Sequence, residues 1–217
     1  MKKIVLIGDS IRQGYDKYVK MAFEYVAEVY YPTENCRFTS HILRHIVEWK
    51  EKMQCGDDVD LVHWNAGVWD NLRLLDDRNL IEIDVYRANV ERICQFIKIL
   101  FPNAKMIFAT STPVDEVLFK EKFEARKIMR VNSDTEIYNQ AAIEVVRKHG
   151  GEINDLYGLL KDRQSEYHSD QTHFYTKEGT RVITNQVIEC IECALGIKAK
   201  PLDYDLLFDK KEDAIGM

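Results

Sequence analysis

Lys3-Ile4-Val5-Leu6-Ile7-Gly8-Asp9-Ser10 decides how the chain is read. A short β-rich apolar run over 3–7 stops at a glycine and hands over to two small polar residues, as a buried strand does on entering a turn. Helical spacing follows over 15–25, then a second strand over 27–31, stopped by Pro32. Residues 41–53 repeat apolar side chains at helical intervals (Ile42, Leu43, Ile46, Val47, Trp49, Met53), and 59–64 reads as a buried strand. A long amphipathic helix covers 81–100, a strand 105–109, and a helix 134–149 closes on Gly150-Gly151. A weak fifth strand is expected over 152–156 and a last helix over 177–195. The longest connection, 111–133, is expected to carry a short helix (117–129) or to act as a lid.

Strands alternating with helices of this length imply βαβ units. The expected fold class is therefore α/β: three layers, with a doubly wound, mainly parallel five-stranded sheet and helices on both faces. Such sheets place their sites at the carboxyl ends of the strands. Residues 1–200 are expected to form one domain, and 201–217 a tail that docks on the body or on a neighbour through Leu202, Tyr204, Leu206, Leu207 and Phe208.

Composition bounds the function classes. The 217 residues carry 30 Lys+Arg against 36 Asp+Glu, a net charge of −6, which disfavours nucleic acid or an anionic membrane as partner. At 46% hydrophobic and 30% charged, the chain is too apolar for disorder and can bury a core. The apolar run after Met1-Lys2-Lys3 is too short for a signal peptide or a membrane span, and the five scattered cysteines suit reduced thiols. A cytoplasmic location is expected.

Three strand ends hold the residues that could carry chemistry. Gly8-Asp9-Ser10 follows the first strand, Asn65-Ala66-Gly67-Val68-Trp69-Asp70 the third, and Asp170-Gln171-Thr172-His173 precedes the last helix. A serine hydroxyl becomes a nucleophile when a base takes its proton. His173 is the candidate base, and Asp170, three residues earlier, the group that orients it. At a strand-to-helix junction, Ser10 would also offer helix N-terminal N–H groups to a developing oxyanion. Each residue also has a plainer reading: Ser10 as a helix cap, Asp9 as a turn residue, Asp170 as a turn cap.

This arrangement resembles the SGNH hydrolases, or GDSL-type esterases and lipases, over about residues 1–195. Ile7-Gly8-Asp9-Ser10 is similar to their nucleophile block and Asp170-x-x-His173 to their closing block. The resemblance implies a flavodoxin-like sheet, a Ser10-His173-Asp170 triad, no metal and no organic cofactor. In the second block the family's glycine is absent from Glu34-Asn35-Cys36-Arg37-Phe38, and Cys36 is matched to it as a backbone N–H donor. In the third block Trp69 stands where the family usually has asparagine, and Asn65 is the nearest replacement donor. The expected oxyanion hole is thus Ser10, Cys36 and Asn65. Asp9, Arg37, Gly67, Trp69 and Asp70 are expected to brace the site or line the substrate pocket.

Other clusters are read without function. His41 and His45 have metal-ligand spacing, yet only Glu48 is near in sequence, and they read as helix-surface residues. Cys190-Ile-Glu-Cys193 lacks a second pair to close a zinc site. Trp64 reads as core. The sequence thus points to a serine esterase for a small acyl ester, with O-acetyl on a carbohydrate as the expected substrate. The alternatives are a silent member that binds a sugar or acyl ligand and, more weakly, a nucleotide or phosphate binder, for which no glycine-rich phosphate motif is present. The sequence leaves the oligomeric state open.

Overall fold

The computed structural model describes residues 1–212. Its centre is a sheet of five strands, β1 (Lys2–Ile7), β2 (Ala27–Tyr30), β3 (Leu61–Trp64), β4 (Lys105–Ala109) and β5 (Glu152–Asn154), in the order β2-β1-β3-β4-β5. Every neighbouring pair is parallel, with Val5 opposite Tyr30 and Val62, and Ile7 opposite Trp64. The chain leaves β1 toward β2 and returns on the other side of β1 to build β3. The crevice between the carboxyl ends of β1 and β3 is therefore the topological switch point, where open α/β sheets bind ligands.

Both faces of the sheet are covered. Val5 and Ile7 point to one face and Ile4 and Leu6 to the other, as the two-residue period of a strand requires. On the first face lie α2 (Thr39–Met53), α3 (Ile83–Leu100) and α5 (Asn132–Lys148). The second face carries α1 (Ser10–Phe23) and α8 (Lys177–Leu195). The expected three-layer α/β architecture is the one observed.

Some boundaries differ for physical reasons. The first helix begins at Ser10, not residue 15, because Oδ1 of Asp9 caps it by accepting the Ile11 N–H at 2.9 Å. The connection 111–133 holds α4 (Glu116–Phe123) and a 3₁₀ turn at Glu124–Arg126. Its far end is stitched down: Arg73 and Met129 exchange backbone hydrogen bonds at 2.8 and 3.1 Å. Two short helices after β5, α6 (Leu156–Leu160) and α7 (Gln164–Tyr167), are too brief to leave a periodic signal.

Residues 204–212 form α9 (Tyr204–Glu212), whose Tyr204 hydroxyl bonds Oδ1 of Asn185 at 3.0 Å while Phe208 stacks on Tyr18. The rest of the expected tail, 213–217, lies outside the described residues. No described helix is long and apolar enough to cross a membrane.

Candidate active site

Ser10 and His173 meet across 163 positions of chain. Ser10 Oγ lies 2.8 Å from His173 Nε2, and Nδ1 of the same ring lies 2.8 and 3.0 Å from the two carboxylate oxygens of Asp170. Since an ionised carboxylate only accepts, Nδ1 carries the ring proton and Nε2 is left to accept from the serine hydroxyl; this tautomer is assigned from the network. Asp170 also accepts the N–H groups of Thr172 (2.7 Å) and His173 (2.8 Å). Burial alone would raise its pKa, but these bonds and the imidazole hold the Asp170 carboxyl below the usual value. One tight turn thus holds Asp170 and His173 together.

Ser10 sits at the first position of α1, so its backbone N–H has no acceptor within the helix. Beneath it Asp9 is fully buried; its Oδ1 receives the Ile11 N–H and Asn65 Nδ2, the latter at 3.0 Å. Burial pushes the Asp9 carboxyl up, against those two bonds and the charges of Arg130 and His173. Asp9 therefore braces the first and third blocks from below.

The second block departs from expectation. The Cys36 N–H, expected to face an oxyanion, donates instead to Gly8 O at 3.0 Å. A backbone donor held by one carbonyl in this way is not open to a substrate oxygen. The left-handed backbone that favours glycine falls one residue later, at Arg37 (φ 53°), whose N–H donates to Asn35 Oδ1 at 2.8 Å. The Cys36 thiol is buried and its pKa pushed up to about 11, so it is an inert core group. The Arg37 side chain is exposed.

Asn65 brings one amide N–H to Asp9, not to Ser10, and no bond to the second is recorded among the described residues. Gly67 has φ +144°, and a Cβ there would stand 2.5 Å from Ser111 Oγ. Trp69 is half-buried on the same turn. Asp70 is fully buried, accepting from Thr39 N–H at 3.0 Å and Thr39 Oγ1 at 2.5 Å, which fixes the start of α2 to the third block. Burial pushes the Asp70 pKa up to about 7. Of the two roles considered for it, Asp70 takes the structural one.

Three residues near the site were not singled out from the sequence. Arg12, 1% exposed, pairs with Asp16 and donates to Pro32 O (2.9 Å), Glu34 O (2.6 Å) and, at 3.4 Å, Gly8 O, clamping the second block onto the first. Its one sequence signal was the i,i+4 spacing to Asp16. Arg130 donates to Val68 O at 2.7 Å and lies over Phe119; burial pushes its pKa down to about 10 against the attraction of Asp9. Tyr175 lies two residues past His173 and reaches Ser10.

The remaining clusters keep their plain readings. His41 and His45 pack 4.4 Å apart with their rings tilted by 40°, and His45 stacks on Trp49. Among the described residues no group of three or more His, Cys, Asp or Glu is placed to hold a metal. Cys190 is half-buried and Cys193 exposed. Trp64 is fully buried and packs on Phe108. His63 is a core histidine between Tyr15 and Asn154, its pKa pushed by burial down to about 3.

No family model matches the chain. It is 31% identical over 102 residues to the human isoamyl acetate-hydrolyzing esterase 1 homolog, covering 45% of this chain and 41% of that protein. It is 27% identical over 139 residues to a GDSL esterase/lipase of Arabidopsis thaliana, covering 59% and 57%. The chain spans about half the length of the curated relatives it matches. Among solved structures, a lipase/acylhydrolase from Enterococcus faecalis superposes with a TM-score of 0.67 at 22% identity, covering 94% of this chain and 100% of that one. An acetyl xylan esterase superposes with a TM-score of 0.65 at 14% identity, covering 87% and 99%. The Gly8-Asp9-Ser10 and Asp170-x-x-His173 blocks meet at the switch point of this sheet, and in these blocks and in fold the chain is similar to the SGNH hydrolases.

Proposed function

We propose that the protein is a serine esterase that hydrolyses a small acyl ester, an O-acetyl group on a carbohydrate. The observation that carries this reading is the continuous relay from Ser10 Oγ through His173 to Asp170, with contacts of 2.8 Å at both ends of the imidazole. Ser10 Oγ attacks the ester carbonyl carbon while His173 Nε2 takes the hydroxyl proton. Asp170 holds the imidazolium that forms. The tetrahedral intermediate collapses as His173 returns that proton to the leaving alcohol, and the acyl group stays on Ser10. Water then attacks the acyl-enzyme, again giving its proton to His173; the acid leaves and the serine hydroxyl is restored.

The Ser10 N–H and the second hydrogen of the Asn65 amide are the donors this reading assigns to the oxyanion. The chemistry draws on side chains and backbone alone, so no cofactor is invoked. An acetyl or similarly small group is favoured because the relatives include proteins named for isoamyl acetate and acetyl xylan, and Trp69 offers an aromatic face to a sugar. The reading needs residues 1–200 to act as one unit, since Ser10 and His173 come from its two ends, with 201–217 as an appendage. Five free thiols suit a cytoplasmic setting. The partner is a small-molecule ester, with neither nucleic acid nor membrane.

One observation favours a second reading, a family member that binds a sugar or acyl ligand without turnover. The Cys36 N–H is committed to Gly8 O, leaving the oxyanion fewer donors than expected. The two separate cleanly. Under the esterase reading, a fluorophosphonate labels Ser10 and p-nitrophenyl acetate turns over, both lost in Ser10→Ala. Acetylated xylo-oligosaccharides then test the carbohydrate half. No labelling and no turnover above the Ser10→Ala level would leave the binding reading.

A further inference from the structure

Tyr175 joins both catalytic partners with one side chain. Its hydroxyl donates to the backbone carbonyl of Ser10 at 2.6 Å, and its ring lies 4.7 Å from the His173 imidazole, tilted 20° from parallel. His173-Phe174-Tyr175 is an irregular segment leading into α8. Phe174, 2% exposed, turns into the core, whereas the His173 and Tyr175 rings lie together outside it. Ser169 ties this segment to itself, donating N–H and Oγ–H to His173 O at 2.7 and 3.1 Å and accepting the Tyr175 N–H on Oγ at 3.1 Å.

Those bonds shape the loop but do not connect it to the nucleophile. Two contacts do: Ser10 Oγ with His173 Nε2, and Tyr175 with Ser10 O. Together they close a circuit running Ser10, His173, Phe174, Tyr175 and back to Ser10. Gly14 makes the second contact possible. It lies inside α1, where glycine costs about 1 kcal/mol against alanine, and a Cβ there would stand 2.7 Å from Tyr175 Cε1. The helix accepts this weak residue where the tyrosine must lie close to reach the Ser10 carbonyl. Burial raises the Tyr175 pKa to about 12, so the hydroxyl remains a donor at neutral pH.

We propose that Tyr175 is a positioning residue for ester hydrolysis, holding the His173 imidazole in register with Ser10 Oγ and presenting its ring face to the imidazolium formed during attack. The proposal rests on reading Ser10 and His173 as nucleophile and base. The hydroxyl fixes distance, because it anchors the base-bearing segment to the residue that carries the nucleophile. The ring fixes orientation, because a stacked imidazole cannot rotate out of line, and its π-face favours the positive charge.

The test is steady-state hydrolysis of p-nitrophenyl acetate, with fluorophosphonate inactivation rates, for wild type, Tyr175→Phe, Tyr175→Leu and Gly14→Ala. Tyr175→Phe keeps the ring and loses the anchor, and lowers kcat about threefold to tenfold. Tyr175→Leu loses both and lowers kcat about a hundredfold, the scale of a misplacement near 1 Å. KM stays within about twofold in each, because the substrate need not touch the tyrosine for either effect. Gly14→Ala, which crowds the ring, lowers kcat while Tyr175 is intact. Fluorophosphonate inactivation slows in the same order. Wild-type-like kcat in Tyr175→Phe and Tyr175→Leu, or a loss confined to KM, overturns the proposal. If Tyr175→Leu does not fold, Tyr175→Phe and Gly14→Ala decide by the same criterion. A wild-type chain that neither labels nor turns over overturns the esterase reading itself.

Discussion

Gly8 stands against Asn65 so closely that a single methyl group would collide: a Cβ on residue 8 would lie 1.9 Å from Asn65 Oδ1 and 2.8 Å from Arg12 Cβ. Neither neighbour can yield freely, since Asn65 is tied to Asp9 and Arg12 to the Pro32 and Glu34 carbonyls. Gly8→Ala is expected to cost about 2 kcal/mol in urea unfolding, the scale of an overpacked core, and to abolish most esterase turnover by shifting Asn65. Adding Asn65→Ala should recover part of the stability and none of the activity. Equal and additive losses in the double-mutant cycle would show that the two residues do not press on each other.

How much of this was legible follows from what each residue uses. The proposed roles of Ser10, Asp170 and His173 rest on side chains at strand and helix ends, positions that hydrophobic period and turn residues mark in the sequence, and the structure brings the three together. The assignment of Cys36 failed because it concerned a backbone N–H, whose direction is set by the turn and not by the residue's name. Arg12 was illegible for the complementary reason: apart from Asp16 its acceptors are carbonyls of residues 8, 32 and 34, which every sequence has. The parallel, doubly covered sheet was readable because strands alternating with long helices imply βαβ units, whereas α6 and α7 are too short for any period to show.

Asp170 is expected to matter more as an acceptor than as a charge. An amide at this position can present a donor to Nδ1 of His173, which drives the ring proton to Nε2 and removes the site that accepts from Ser10. Asp170→Asn should therefore lower kcat by about 10³–10⁴, with KM little changed. Since its pKa is held below the usual carboxylate value, wild-type Asp170 stays ionised through ordinary assay pH. The stabilisation from its bonds is present above the unfolded pKa and is lost only as pH falls through the depressed folded one. Fluorophosphonate labelling of Asp170→Asn at the wild-type rate would contradict this role.

Arg12 is expected to hold stability and site together. It is buried with Asp16, and removing one partner of a buried ion pair typically costs about 3–5 kcal/mol because the other is left uncompensated. Arg12→Met should fall in that range by urea unfolding, and Arg12→Met with Asp16→Leu should regain a large part of it. The double variant still lacks the bonds to Pro32 and Glu34 carbonyls, so its turnover should stay low although its stability returns. Recovery of both together would mean that the clamp on the second block has no bearing on catalysis.

Asp70 should make stability fall as pH rises from acid toward neutrality. Its ordinary pKa of 3.8 is raised to about 7 by burial, only partly offset by the Thr39 bonds. Between those values the folded chain binds a proton that the unfolded chain has released, so unfolding free energy decreases with pH. The contribution is complete below the unfolded pKa and disappears as pH passes the folded one. Asp70→Asn removes this proton while keeping an oxygen that can accept from Thr39, at the cost of an amide N–H group in a pocket built of donors. At pH 5 the variant should be the less stable of the two. From pH 5 to pH 8 the wild type should lose about 2 kcal/mol relative to it. Urea midpoints for both proteins across that range measure the difference, and parallel curves would mean that Asp70 is already ionised in the folded protein at pH 5.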